Sequence, residues 1–160
     1  MTQNGYGVTV KEEWDVNTAT KLQTETQRKF VGTWMLVSLG GQGVLVERLG
    51  AHPVGVLVYD DIGNMSVQIM NRARGQISLR TDQDFKAALQ SYIGYFGKYS
   101  IDTEEKSVIH HVVGSLYPKD VGRQFKRLYE FSDDQLRLTA IGLIGGEHIE
   151  ADLVWQLVNK

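Results

Sequence analysis

The sequence predicts an all-β domain with one or two short helices, its strands forming an antiparallel sandwich or closed barrel. From about residue 31 the chain breaks into eight short runs rich in β-branched and aromatic residues. The breaks between them carry turn-forming residues, so most strands follow one another as hairpins. A length of 160 residues, 42% hydrophobic and 22% charged, suits one globular domain with a single core.

The runs are "GTWMLVSLG", "PVGVLVY", "MSVQIM", "YFGKYSI", "SVIHHVVGS", "FKRLYEFS", "LRLTAI" and "LVWQLV". Turns are expected at "DDIGN", "DTEEK", "YPKDVG" and "SDDQ", and the glycine-rich "IGLIGGEHIEAD" reads as the connection into the last strand. One segment departs from the strand pattern. In "TDQDFKAALQSY", Phe85, Ala88, Leu89 and Tyr92 fall on one helical stripe, and Thr81 with Asp84 three residues on gives a capping-box start. A second helix with a thin stripe, Ala19, Leu22 and Phe30, is expected from about Asp15 to Lys29. Such a stripe cannot hold a helix alone, so this segment either docks on the barrel or stays loose.

Side chains on a strand alternate between faces. In "GRQFKRLYEFS" this places Phe125, Arg127, Tyr129 and Phe131 together, and the aromatics mark that face as the buried one. An inward guanidinium cannot escape by deprotonation, so Arg127 needs a partner. It can stack on a tryptophan or bond carbonyls at one barrel end, or it can meet an anionic or enol-like ligand oxygen. Tyr95, Gly97, Tyr99 and Ile101 share a face, as do Gly55, Leu57 and Tyr59. In "MSVQIM" neither Met65, Val67 and Ile69 nor Ser66, Gln68 and Met70 is decisively apolar, which keeps Gln68 as a candidate. The adjacent His110 and His111 point to opposite faces and cannot both reach one ion. A barrel of about eight strands is wide enough to be filled by side chains or to hold one small ligand, and polar groups among aromatics favour the ligand.

Several function classes lose support. No cysteine is present, which removes thiolate chemistry and cysteine-ligated metals. His148 and Glu150 on one side of a strand make two ligands, fewer than a zinc site needs. Acidic residues gather in turns (Asp60 and Asp61, Glu104 and Glu105, Asp133 and Asp134), so glycosidase-type carboxylate pairs are not evident. "GLIGGE" lacks the Lys-Ser/Thr of a phosphate loop, and no serine lies in a nucleophile elbow. No cofactor and no metal are expected. Basic residues are dispersed and the net charge is −2, which gives nucleic acid no footprint. No apolar run is long enough to span a membrane, and the first residues carry no secretory pattern, so a cytoplasmic location is the default.

These segments resemble the lipocalin-like domain family, small relatives of the calycin barrels. The resemblance is carried by "GTWMLVS", "GVLVYDDIGNMSVQIM", "YIGYFGKYSID", "VIHHVVGSLYP" and "RLYEF". It implies a barrel domain over residues 30–160 and leaves residues 1–29 outside it as an N-terminal extension, which by analogy with similar small barrels would suit a helical lid. It implies a closed, antiparallel, eight-stranded barrel with Trp34, two residues after Gly32, closing one end. It also implies that His110 faces inward with Val108 and Val112 while His111 lies at the surface. Family members often end in Trp-Glu-Arg, whereas this chain reads Trp155, Gln156, Leu157 and lacks that arginine.

Two classes of function follow. In one, the barrel binds a small hydrophobic molecule with a polar or acidic end, held among Trp34, Tyr59, Gln68, Tyr95, Tyr99, His110, Phe125, Arg127, Tyr129 and Trp155. In the other, the same cavity is a cofactor-free cyclase or isomerase for a polyketide- or terpenoid-like intermediate, with His110, Arg127 and Tyr99 as the catalytic groups. A core histidine satisfied by a tyrosine hydroxyl or a carbonyl is the plainer reading of His110. A homodimer is compatible with either class.

Overall fold

The computed structural model describes residues 24–159. Helix α1 (Glu25–Phe30) leads into β1 (Gly32–Gln42), α2 (Val44–Leu49), β2 (Val54–Tyr59) and β3 (Asn64–Met70). A 3-10 turn (Arg72–Gln76) and α3 (Asp82–Gln90) precede β4 (Tyr92–Asp102) and β5 (Ser107–Ser115). A second 3-10 turn (Pro118–Asp120), β6 (Gln124–Ser132), β7 (Gln135–Ile144) and β8 (Glu147–Asn159) complete the described chain. Each strand pairs with the next and β8 pairs back onto β1, all antiparallel, so the sheet closes into an eight-stranded barrel. Closure leaves no edge strand exposed.

The period-two pattern sets what lies inside. Leu57 and Tyr59 of β2, Met65, Val67 and Ile69 of β3, and Leu136, Leu138 and Ala140 of β7 are buried, with their neighbours turned outward. On β6, Phe125 and Arg127 are buried while Gln124, Lys126 and Leu128 are exposed. On β5, His110 is buried between Val108 and Val112, and His111 lies on the outer face, its Nε2 2.8 Å from Ser100 Oγ.

The lower end of the barrel is closed by α1. Thr24 caps that helix by accepting from Gln27 N–H, and Phe30 is its buried anchor. The Phe30 ring sits edge-on to Tyr59, Tyr129 and Phe131, at centroid distances of 5.4, 5.0 and 4.9 Å. Trp34 donates its indole N–H to the Phe30 carbonyl at 2.8 Å, which ties helix to strand. Residues 15–23 of the helix expected over Asp15 to Lys29 lie outside the described residues, as does the rest of the extension up to residue 23.

The upper end is closed by α2, which sequence reasoning did not anticipate. Leu45 and Leu49, one turn apart, are fully buried over the barrel mouth. Gly50 ends the helix at φ 78, a left-handed conformation that suits glycine, and Asn71 Nδ2 donates to the Arg48 carbonyl at 2.9 Å. Helix α3 has the expected capping box of Thr81 and Asp84, but its apolar stripe is not buried as a unit: Ala88 packs inward while Phe85 and Leu89 are exposed. The connection between β7 and β8 also differs from expectation. Both strands run further, and the turn is only Gly145 and Gly146, at φ 60 and φ 83. Two successive residues at positive φ make the tight hairpin turn whose twist matches the flanking strands, so no long loop is needed. The Asp120 carboxylate pins this turn by accepting from Gly145 N–H at 3.0 and 2.8 Å.

Candidate functional site

Between the two closed ends the barrel leaves a narrow cavity of about 30 Å³ beneath α2, space for about two water molecules. Its wall is mostly hydrocarbon, from Leu39, Leu49, Ile69, Ile93, Leu138, Ile144, Ile149 and Leu153 among others. Tyr95, His110, Arg127 and Trp155 are the polar or amphipathic side chains in that wall. A broader open pocket of about 320 Å³ lies outside, between α2 and the 71–91 segment, lined in part by Arg48, Asn71 and Arg74. Tyr95, His110 and Arg127 come together in the wall of the central cavity.

Arg127 is 5% exposed. Its guanidinium stacks on the Phe125 ring at 5.0 Å and donates to the Lys126 carbonyl at 3.0 Å. No carboxylate pairs with it among the described residues. The partner expected for an inward arginine is therefore an aromatic face and a carbonyl, with the aromatic being phenylalanine instead of tryptophan. These contacts leave most of its five N–H donors to other partners.

His110 sits between two phenols. Its Nε2 is 2.6 Å from Tyr59 Oη and its Nδ1 is 3.0 Å from Tyr95 Oη. Burial and the nearby Arg127 charge hold its pKa well below the usual imidazole value, so the ring is neutral. Burial pushes the Tyr59 and Tyr95 phenols up, and the Arg127 charge partly offsets this in both. The cluster is thus one fixed cation and three neutral groups. Trp155 is 1% exposed, and its indole Nε1 has no hydrogen-bond partner among the described residues.

The remaining candidates fall elsewhere. Tyr59 is buried behind His110, and Phe125 supports Arg127 from below. Tyr99 donates to the Asp60 carbonyl at 2.8 Å near the lower end, and burial pushes its phenol up to about 12. Trp34 and the half-buried Tyr129 belong to the aromatic plug around Phe30. Gln68 lies on the outer face of β3, because Met65, Val67 and Ile69 take the inner one, and its Oε1 accepts from Tyr92 Oη at 2.6 Å. The two faces of that strand were too similar in polarity for alternation to choose between them. Leu49 had a findable signal: Leu45 and Leu49 are spaced i, i+4 and bracketed by Gly43 and Gly50.

Residues 31–158 match the lipocalin-like domain family. The chain belongs to that family. Among curated proteins, this lipocalin-like chain is similar to the 4'-hydroxy-3'-methoxypropiophenone carrier protein ppsC of Aspergillus oryzae, 27% identical over 109 residues, covering 60% of this chain and 98% of that one. Among solved structures it is similar to a mutant of the fluorescent protein UnaG, with a TM-score of 0.40 and 13% identity over 83% of this chain and 99% of that one. Among its described residues, no group of three or more His, Cys, Asp or Glu could hold a metal, and no helix is long and apolar enough to cross a membrane.

Proposed function

We propose that this lipocalin-like barrel binds a small, largely apolar molecule with one polar or acidic end, seated in the cavity beneath α2. The observation that carries the reading is the buried Arg127, a permanent cation that lines an apolar cavity without a carboxylate partner among the described residues. Taking a charge out of water costs several kcal/mol unless it is paired, and a ligand oxygen supplies the missing partner. The cavity of about 30 Å³ is far below the roughly 300 Å³ of a typical ligand site. Entry therefore requires α2 and the neighbouring loops to move outward. The similarity to a carrier of an aryl ketone supports a carrier role over a catalytic one. Residues 1–29 are proposed as an extension to the barrel, of which α1 closes the end opposite the entry.

A second reading, a cofactor-free cyclase or isomerase, is favoured by the neutral His110 held between two phenols at the cavity wall, a group able to move a proton. Native mass spectrometry of the purified protein, incubated with apolar metabolites from its own gene neighbourhood, separates the readings. Saturable binding with unchanged recovery of the small molecule selects the carrier, and turnover without added cofactor selects the enzyme. Arg127→Leu is expected to weaken binding by tenfold or more. Binding equal to the parent would remove Arg127 from the site.

A further inference from the structure

We infer that the polar pole of the cavity is made only of hydrogen-bond donors, so the ligand's buried end is an oxygen without a hydrogen of its own: a ketone, enolate or carboxylate. This inference rests on the ligand-binding reading above and names the chemistry of the bound end. Three protons belong to the Tyr59, His110 and Tyr95 group: two phenolic and one on the neutral imidazole. The two hydrogen bonds to His110 use two of them, so one phenolic proton is left over.

The surroundings decide which phenol keeps it. Tyr59 is 1% exposed and packed against the Phe30 and Tyr99 rings, and no acceptor other than His110 meets its hydroxyl among the described residues. A spare proton there would be buried without a partner. The Tyr59 hydroxyl therefore donates to Nε2, and Nδ1 carries the imidazole hydrogen and donates to Tyr95 Oη. Tyr95 lines the cavity, and Tyr59 does not. The Tyr95 hydroxyl meets no acceptor besides the ring among the described residues, so Tyr95 turns its own O–H into the cavity. Arg127 and Trp155 line the same wall, and Trp155 Nε1–H has no hydrogen-bond partner among the described residues. His110 is thus a positioning residue that fixes Tyr95 as a donor.

A carbonyl or oxyanion satisfies these donors, whereas an alcohol brings a hydrogen that finds no acceptor. The expected penalty is roughly five- to a hundredfold in affinity. The test uses the full chain and three probes of similar size: propiophenone, 1-phenylpropan-1-ol and 3-phenylpropanoate. Titration followed by tryptophan fluorescence is expected to show the ketone or the carboxylate binding at least fivefold tighter than the alcohol. Their ratio tells a neutral carbonyl from an oxyanion as the preferred source. Nitrogen-15 NMR of the ligand-free protein is expected to show His110 protonated at Nδ1, and the Trp155 indole proton is expected to move downfield with the tighter probe. Equal or tighter binding of the alcohol, protonation at Nε2, or an unmoved indole proton overturns the inference and leaves the binding role standing. No binding by any of the three overturns both.

Discussion

His110 makes the stability of this barrel depend on pH between about pH 7.5 and about pH 5.5, in a direction and size that follow from its surroundings. In the unfolded chain its imidazole titrates near about pH 6.5. In the folded barrel, burial and the Arg127 charge hold its pKa well below that value. As pH falls through about 6.5, the unfolded state takes up a proton that the folded state refuses, so stability is lost on acidification and retained above the unfolded pKa. For a folded ring that stays neutral across the window, the loss from about pH 7.5 to about pH 5.5 is about 1.4 kcal/mol, a tenfold change in the folding equilibrium. With urea m-values of about 1–3 kcal/mol per M, the unfolding midpoint drops by about 0.5–1.4 M. The assay is urea unfolding at several pH values on the parent and on His110→Gln, which keeps a polar side chain but cannot titrate. The difference between the two proteins isolates His110 from every other titrating group, including Asp120, whose burial-raised pKa acts in the opposite sense. Parallel curves for parent and variant across this window would refute a neutral, buried His110.

Tyr59→Phe and Tyr95→Phe each strip one ring nitrogen of its only partner among the described residues, and each is expected to cost about 1–3 kcal/mol in urea or thermal unfolding. The double variant should depart from additivity, because the two bonds polarise one imidazole. Asp120→Ala leaves the Gly145 N–H without its carboxylate acceptor. It should cost about 1–3 kcal/mol and speed amide exchange at Gly145 in hydrogen-exchange measurements. Leu49→Ala removes a fully buried side chain from the cavity roof. It is expected to lower stability by about 2–5 kcal/mol while accelerating uptake of an apolar fluorescent dye.

Much of the barrel was legible because each strand obeys a period of two. "GRQFKRLYEFS" separates into an aromatic face and a polar face, so the burial of Phe125 and Arg127 could be read directly. The capping box at Thr81 is equally local, since its bonds span only three residues. Local rules failed where long-range packing chose between balanced options. "VLVERL" carries a helical leucine spacing, but only the barrel mouth decides that Leu45 and Leu49 of α2 are buried. The α3 stripe has the spacing of a core face, yet only Ala88 of the helix is buried while Phe85 and Leu89 stay exposed, because burial depends on what packs against a helix and not on its own periodicity.

The sequence by itself determined the class of fold, the strands, the inward direction of Arg127 and the tyrosines, and membership in a family whose pattern turns His110 inward. These depend on alternation and on segment patterns, which are properties of neighbours along the chain. Only the tertiary structure decided that His110 lies between Tyr59 and Tyr95, that Arg127 stacks on Phe125, that Trp155 N–H finds no partner among the described residues, and that α2 roofs a cavity. Tyr59 and His110 are 51 residues apart. Barrel closure fixes the distance between such residues, and no short-range pattern encodes it.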